Sequence, residues 1–162
     1  MTHSTGEARE LLAESATEDD TEVRVAGRLV SMRGHGKTTF AHLSDRAGKI
    51  QLYFRKDALG DEAFATLHLL DTGDWIGVRG TMMLTKTGEK TIRVAGFKLL
   101  AKSIRPLPLG KEEVDEATGE RVVHSGFADL EQRYRQRYAD LAVNREVREV
   151  FYTRTRVITT LR

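Results

Sequence analysis

The sequence contains no cysteine. Disulfides and thiolate metal sites are therefore excluded, and a reducing, cytoplasmic setting is expected. Its two prolines, Pro106 and Pro108, sit together in "RPLPLG", and no other stretch is broken by proline. No apolar run approaches the roughly 20 residues that a membrane-spanning helix needs. The start, "MTHSTGEARE", has neither the basic nor the apolar segment of a secretory signal. Histidines 3, 35, 42, 68 and 124 show no metal-ligand spacing, so no metal site is expected. GxSxG and HExxH are missing, and carboxylates pair only in acidic loops, so no catalytic residue is expected in this chain. What is present is 162 residues, 40% hydrophobic and 31% charged, a balance that favours a soluble globular protein over a disordered one.

Charge is unevenly spread although the net value is only +2. Residues 1–22 hold seven acids against one arginine, whereas residues 133–162 hold eight arginines against three acids. Such a skew points either to an anionic partner or acidic neighbouring domain for the C-terminal part, or to a solvated helix face.

Residues 1–22 read as a short helix, "GEARELLAES", and an acidic loop, "TEDDTE". A β-rich block follows. In "VRVAGRLVSMR", Val23, Val25 and Leu29 point inward and Arg24 and Arg28 outward, because side chains alternate along a strand. "GHGK" turns the chain into two further strands, Lys37 to Leu43 and Lys49 to Arg55. In "GDEAFATLHLL", Ala63, Phe64, Leu67 and Leu70 recur at helical spacing. "DWIGVRGTMMLT" returns to period two, "TKTGEK" turns, and "TIRVAGFKLLAK" makes a fifth strand, bent or bulged at Gly96.

Three antiparallel strands, a helix and two more strands within about 80 residues suit a mainly β protein with some α: a five-stranded Greek-key barrel, the OB-fold. The expected parts are an N-terminal helix and acidic loop (1–22), the barrel (23–104), a linker with the polar loop "KEEVDEATGERVVHSG" (105–128), and C-terminal helices (129–162). In the first of these helices Leu130, Tyr134, Tyr138 and Leu141 form an apolar stripe beside Arg133 and Arg137. Asn144 stands as the N-cap of the next, whose stripe is Val147, Phe151, Ile158 and Leu161. That helix meets Arg162 in mid-pattern, so the chain is expected to be a piece of something longer.

One residue of the barrel looks misplaced. Alternation puts Phe40 on the polar face of its strand, beside Gln51 and Tyr53 of the next. A ring held there makes a platform for a nucleic-acid base, with stacking worth about 1–3 kcal/mol per base. The other readings are a one-residue slip of register, which would turn Phe40 into the core, or cover of Phe40 by the N-terminal segment. Gln51 has a donor and an acceptor for a base edge. Loop 1–2 supplies Arg33, His35 and Lys37, and loop 4–5 supplies Lys86, Glu89 and Lys90. "GHGKTT" lacks the first glycine of a phosphate loop, where Ser31 stands, so it is a plain turn or a backbone contact. Glu89 would repel phosphate but accept from a base N–H; otherwise it is a solvated charge.

The strings "VRVAGRLVSMRGHGKTTFAHLSDRAGKIQLYFRKDALG", "LDTGDWIGVRGTM", "TKTGEKTIRV", "LLAKSIRPLP" and "EQRYRQRYADLAVNREVREVF" together resemble the N-terminal part of class II lysyl-tRNA synthetases, from about Val23 to Arg162. The resemblance implies a domain that binds the tRNA anticodon. Phe40 matches the phenylalanine that stacks on the central anticodon uridine, Gln51 a glutamine that bonds an anticodon base, and Arg33 an arginine of the same site. Glu89 matches a glutamate that reads the first anticodon position. His35 and Lys37 are weaker matches, for the RNA backbone. The resemblance also implies that residues 144–162 begin the helix of a homodimer interface. The parent ligase would join lysine to its tRNA with ATP and magnesium ions, using segments this chain lacks; this piece alone is expected to be inactive and to hold no cofactor. The competing readings are a non-specific single-stranded nucleic-acid binder, a purely structural OB domain, and the matching domain of an aspartyl- or asparaginyl-tRNA synthetase.

Overall fold

The structure, a computed structural model, describes residues 1–12, 16–114, 121–124 and 127–162, with the backbone alone for 111–114 and 121–124. The chain forms two compact units, Met1–Pro106 and Leu107–Arg162.

The first unit is built on five strands, β1 (Glu18–His35), β2 (Thr38–Ser44), β3 (Lys49–Arg55), β4 (Trp75–Leu84) and β5 (Lys90–Ala101). They close into a barrel in the order β1-β2-β3-β5-β4, with β3 and β5 parallel and the other pairs antiparallel. Closure leaves no free sheet edge. The expected alternation holds: Val23, Val25, Leu29, Leu43, Leu52, Phe54, Ile76 and Ile92 are buried together in the core.

Two irregularities shape the barrel. In β1, Leu29 pairs with Leu43 but Ser31 pairs with His42, so Val30 is an extra, bulged residue. In β5, Arg79 faces Gly96 while Gly80 faces Val94, which puts a bulge at Ala95, next to the glycine where a bend is expected. Bulges kink a strand and re-aim the side chains that follow.

Several local expectations need correction. The acidic stretch from Glu18 is strand, not loop. Glu18 and Asp19 pair with Met83 and Met82 of β4, so partner strand length overrides the poor strand propensity of acids. Between β3 and β4 lie two short helices, α2 (Lys56–Leu59) and α3 (Asp61–Leu67), instead of one. Gly60 divides them: its φ of +82° ends α2, and its own amide donates to the Lys56 carbonyl at 2.9 Å. Phe64, Leu67 and Leu70 are buried as the helical spacing implies.

The N-terminal helix α1 (Thr5–Leu11) starts at a capping box. The Ser4 hydroxyl accepts from the Glu7 amide at 3.2 Å, and the Glu7 carboxylate accepts from the Ser4 amide at 2.7 Å. Seven residues are too few for a stable isolated helix. This one is held by the barrel: Ala8 and Leu12 are fully buried in its core, and the Thr5 amide donates to Asp45 at 2.8 Å. Residues 13–15 of the expected helix lie outside the described residues.

Asp74 is fully buried and ties the turn before β4 to the residues that follow β5. It accepts from the amides of Asp71 and Ser103, each at 2.8 Å, and from Lys102 Nζ at 2.7 Å. Burial pushes the carboxyl up, but the Asp71 amide, the Lys102 ammonium and the Ser103 amide outweigh it and hold the group below the usual aspartate range.

In the second unit, β6 (Lys111–Val114) and β7 (Arg121–His124) pair as an antiparallel two-stranded sheet, Lys111 opposite His124. A polar loop is expected there; β-branched Val114, Val122 and Val123 favour extended backbone instead. Residues 115–120 and 125–126 of that loop lie outside the described residues. Helices α4 (Leu130–Arg135), α5 (Arg137–Val143) and α6 (Arg145–Leu161) follow. The first expected helix is broken at Gln136, and its stripe of Leu130, Tyr134 and Tyr138 is exposed. Its neighbouring charged face is what turns inward. Asp140 is fully buried, with Arg133 Nε 2.9 Å from one oxygen and Arg137 on the other. Asn144 sits at the N-terminus of α6, but its side chain makes no cap bond; its Nδ2 donates to Asp140 at 2.7 Å.

Candidate nucleic-acid interface

The outer face of β1, β2, β3 and β5 carries two rows of cross-strand neighbours. The first row is Arg33, Phe40, Tyr53 and Arg93, each paired in register with the next. The second is Ser31, His42, Gln51 and Thr91. Directly opposed side chains on antiparallel strands lie about 4.5–5.5 Å apart at Cβ, so neighbours in a row stand side by side, although Gln51 and Thr91 of the second row are buried. Arg33 reaches this face because of the bulge at Val30. Strict alternation from buried Leu29 would aim Arg33 into the core.

Phe40 and Tyr53 are half-buried. Their rings stack with centroids 4.8 Å apart and planes 27° from parallel. The platform expected at Phe40 is therefore two rings wide, and Tyr53 is a part of it that sequence reasoning placed nearby without using. Arg93 closes the row and is paired with Glu18.

The basic end of the face is a tight hairpin. β1 runs on to His35, so Arg33 and His35 belong to a strand and only Gly36 and Lys37 form the turn. Gly36 has φ +59°, which a two-residue hairpin of this kind requires at its first position. Arg33, His35 and Lys37 are exposed, and their side chains have no hydrogen-bond or ion-pair partner among the described residues. Two cations and an imidazole held out without partners make a surface suited to phosphate.

Gln51 departs from expectation. It lies on the outer face but is only 4% exposed, because the β4–β5 hairpin folds over it. Its Oε1 accepts from the Thr91 hydroxyl at 2.7 Å, and its Nε2 donates to Glu89 Oε2 at 2.8 Å. Glu89 is not a solvated charge either. His42 Nε2 lies 2.9 Å from its other oxygen, and the Glu89 side chain is 31% exposed. The turn beneath it is stiff: the Glu89 amide donates to the Thr85 hydroxyl at 3.0 Å, the Glu89 carbonyl accepts from the Thr85 amide at 3.0 Å, and Gly88 adopts φ +80°.

Lys90, expected in the same loop, faces elsewhere. Its Nζ donates to the carbonyls of Arg9 at 2.9 Å and Leu12 at 2.6 Å, closing the C-terminal end of α1. Lys86 is exposed at the hairpin tip. His42 and Thr91 complete the polar row and were not singled out from the sequence. Alternation does put His42 on the outer face, but nothing local reveals its pairing with a carboxylate 47 residues away.

This arrangement has a definite chemical capacity. Two stacked rings offer an apolar, flat surface; beside them lies a fixed carboxylate with lone pairs left over and an amide whose second N–H is uncommitted. Free cations border it on one side. Among the described residues, no group of three or more histidines or acids is arranged to hold a metal ion. No helix among them is long and apolar enough to cross a membrane.

The comparisons with known proteins agree with this geometry. A family model described as an OB-fold nucleic acid binding domain, of the tRNA anti-codon type, matches residues 23–105. The chain is 45% identical over 155 residues to a lysine–tRNA ligase of Carboxydothermus hydrogenoformans, covering 96% of this chain and 29% of that protein. It is 44% identical over 149 residues to a lysine–tRNA ligase of Halalkalibacterium halodurans, covering 92% and 27%. A lysine–tRNA ligase of Bacillus thuringiensis is 42% identical over 153 residues, covering 94% and 28%. The chain thus spans less than a third of the length of the relatives it matches. With the barrel order, the stacked rings and the family match coinciding over the same residues, the chain belongs to the tRNA anti-codon family of OB-fold nucleic acid binding domains.

Proposed function

We propose that this chain reads the anticodon of a lysine tRNA, as the anticodon-binding part of a lysine–tRNA ligase. The observation that carries the reading is the pairing of two unlike rows on one face: stacked Phe40 and Tyr53 beside the hydrogen-bonded Gln51 and Glu89. Stacking on Phe40 accepts any base, whereas an amide and a carboxylate held in fixed orientation discriminate between base edges. Arg33 serves the same site, and His35 and Lys37 contact the RNA backbone. Residues 23–104 form the anticodon-binding domain, between an N-terminal segment (1–22) and a linker (105–128), and 129–162 open the catalytic domain.

A general single-strand binder is supported less well. Its affinity comes from cations and stacking, and an acid held firmly on the binding face works against a polyanion. All three relatives named above are lysine–tRNA ligases, which favours lysine over aspartate or asparagine. The whole ligase would work in the cytoplasm with ATP and magnesium ions. It would form a homodimer through α6, whose Phe151, Ile158 and Leu161 are exposed in this chain.

The test is fluorescence anisotropy of the chain with a labelled stem-loop carrying a UUU anticodon, beside one with the central uridine changed to adenosine. Both are run at low and near-physiological salt, since phosphate contacts weaken steeply with salt and base readout does not. Preference for the uridine loop at both salts is expected. Equal, salt-sensitive binding of both loops would replace this reading with the general binder.

A further inference from the structure

The second row of the face converges on one acceptor. An ionised carboxylate only accepts, so the 2.9 Å contact between His42 and Glu89 requires the proton on His42 Nε2. In a neutral ring Nδ1 is then the acceptor, and the Ser31 hydroxyl, 2.8 Å away, donates to it. From the other side Thr91 donates to Gln51, and Gln51 donates to Glu89. Every donor in the chain from Ser31 to Thr91 therefore points toward Glu89. The carboxylate is gripped once on each oxygen and keeps lone pairs for a ligand.

We propose that His42 is a positioning residue for Glu89: its Nε2–H fixes the orientation of the carboxylate that accepts an N–H from a base, and the Ser31 hydroxyl, bonded to Nδ1, holds the ring in the orientation that does so. The ligand chemistry is a nucleobase with an imino N–H, as in uridine, and His42 never touches it. The His42 side chain is 14% exposed against 31% for Glu89, so the carboxylate is the more accessible of the two. The inference rests on the anticodon reading above for its ligand, but the grip of His42 on Glu89 is a property of the free protein.

A positioning role differs from a packing role in what it moves. Loss of packing at His42 weakens binding of all loops alike and lowers the melting temperature. Loss of positioning removes the response to one hydrogen on one base. The side chain of glutamine places an N–H near where histidine has Nε2–H, so His42→Gln keeps the donor and His42→Leu removes it.

The experiment compares binding of the UUU stem-loop with the same loop carrying N3-methyluridine at the first anticodon position, which lacks the imino hydrogen. The proteins are wild type, His42→Leu, His42→Gln, Glu89→Gln and the Glu89→Gln/His42→Leu double variant. Alongside, the Glu89 side-chain carboxyl signal is followed by NMR in the free wild-type and His42→Leu proteins. Wild type is expected to prefer the unmethylated loop by about tenfold or more, the size of one hydrogen bond to a charged group. His42→Leu should lose most of that preference and shift the carboxyl signal, His42→Gln should restore it, and the double variant should discriminate no less than Glu89→Gln alone. Full preference retained in His42→Leu would overturn the inference. If wild type itself shows no preference, the base-reading role of Glu89 fails. An unshifted carboxyl signal in His42→Leu then overturns the positioning claim as well, and a shifted one upholds it apart from the ligand.

Discussion

Phe40 and Tyr53 face each other across β2 and β3, with their rings stacked 4.8 Å apart at the centroids. The strands supply this contact without help from any loop, so the platform exists before a base arrives. Preorganisation of this kind lowers the entropy lost on binding. Phe40→Ala is expected to weaken binding of the UUU stem-loop by about 1–3 kcal/mol, measured by anisotropy. The circular dichroism spectrum should stay that of the folded barrel. A melting temperature that falls in step with affinity would make Phe40 a core residue instead.

α1 belongs energetically to the barrel. Leu12 is fully buried in the core, and removing its side chain there should cost about 2–5 kcal/mol by analogy with other buried leucines. Leu12→Ala is accordingly expected to lower the urea midpoint of the whole first unit in one transition. If α1 were only an appendage, the midpoint would hold and only the amides of 5–11 would exchange faster.

Asp74 gives the fold an acid limit. Its folded pKa is depressed, so its contribution is fully present above the ordinary aspartate value of about 3.9 and is lost as pH falls through the lower, folded value. Urea titrations from pH 5 down to pH 2.5 should show wild type losing stability through that window. Asp74→Asn should start about 1.5–3 kcal/mol lower at pH 7 and show a shallower acid slope. Parallel slopes for the two proteins would mean that other carboxylates set the limit.

Gly80 is required for close approach of the backbones of β4 and β5. A Cβ there would lie 2.0 Å from the Arg93 carbonyl oxygen, beside the bulge at Ala95. Gly80→Ala cannot be absorbed by a side-chain rotation and should cost at least about 1–3 kcal/mol, seen as a lower melting temperature. Gly36→Ala meets no neighbouring atom and carries only the strain of its positive φ, so its effect should be smaller.

Much of this protein is legible in its sequence because strand and helix periods come from backbone geometry that every residue shares. Alternation alone separates Val23, Val25 and Leu43 from Phe40 and His42, and the turns read at "GHGK" and "TKTGEK" hold Gly36 and Gly88 at positive φ, whereas the helix break at Gly60 shows only in the structure. The order of three strands, a helical segment and two strands points to the barrel. What the tertiary structure decided are matters of partner and distance. The bulge at Val30 arises only where β1 pairs with β2, and it brings Arg33 and Ser31 onto the face with Phe40 and His42. Gln51 is buried because a hairpin from 38 residues later closes over it, and Lys90 is spent on carbonyls of α1. Likewise, Glu89 changes from a loop-tip charge to a held acceptor through donors on two other strands. Local rules report what each residue prefers; which donor meets which acceptor depends on the closed barrel, and no local window contains it.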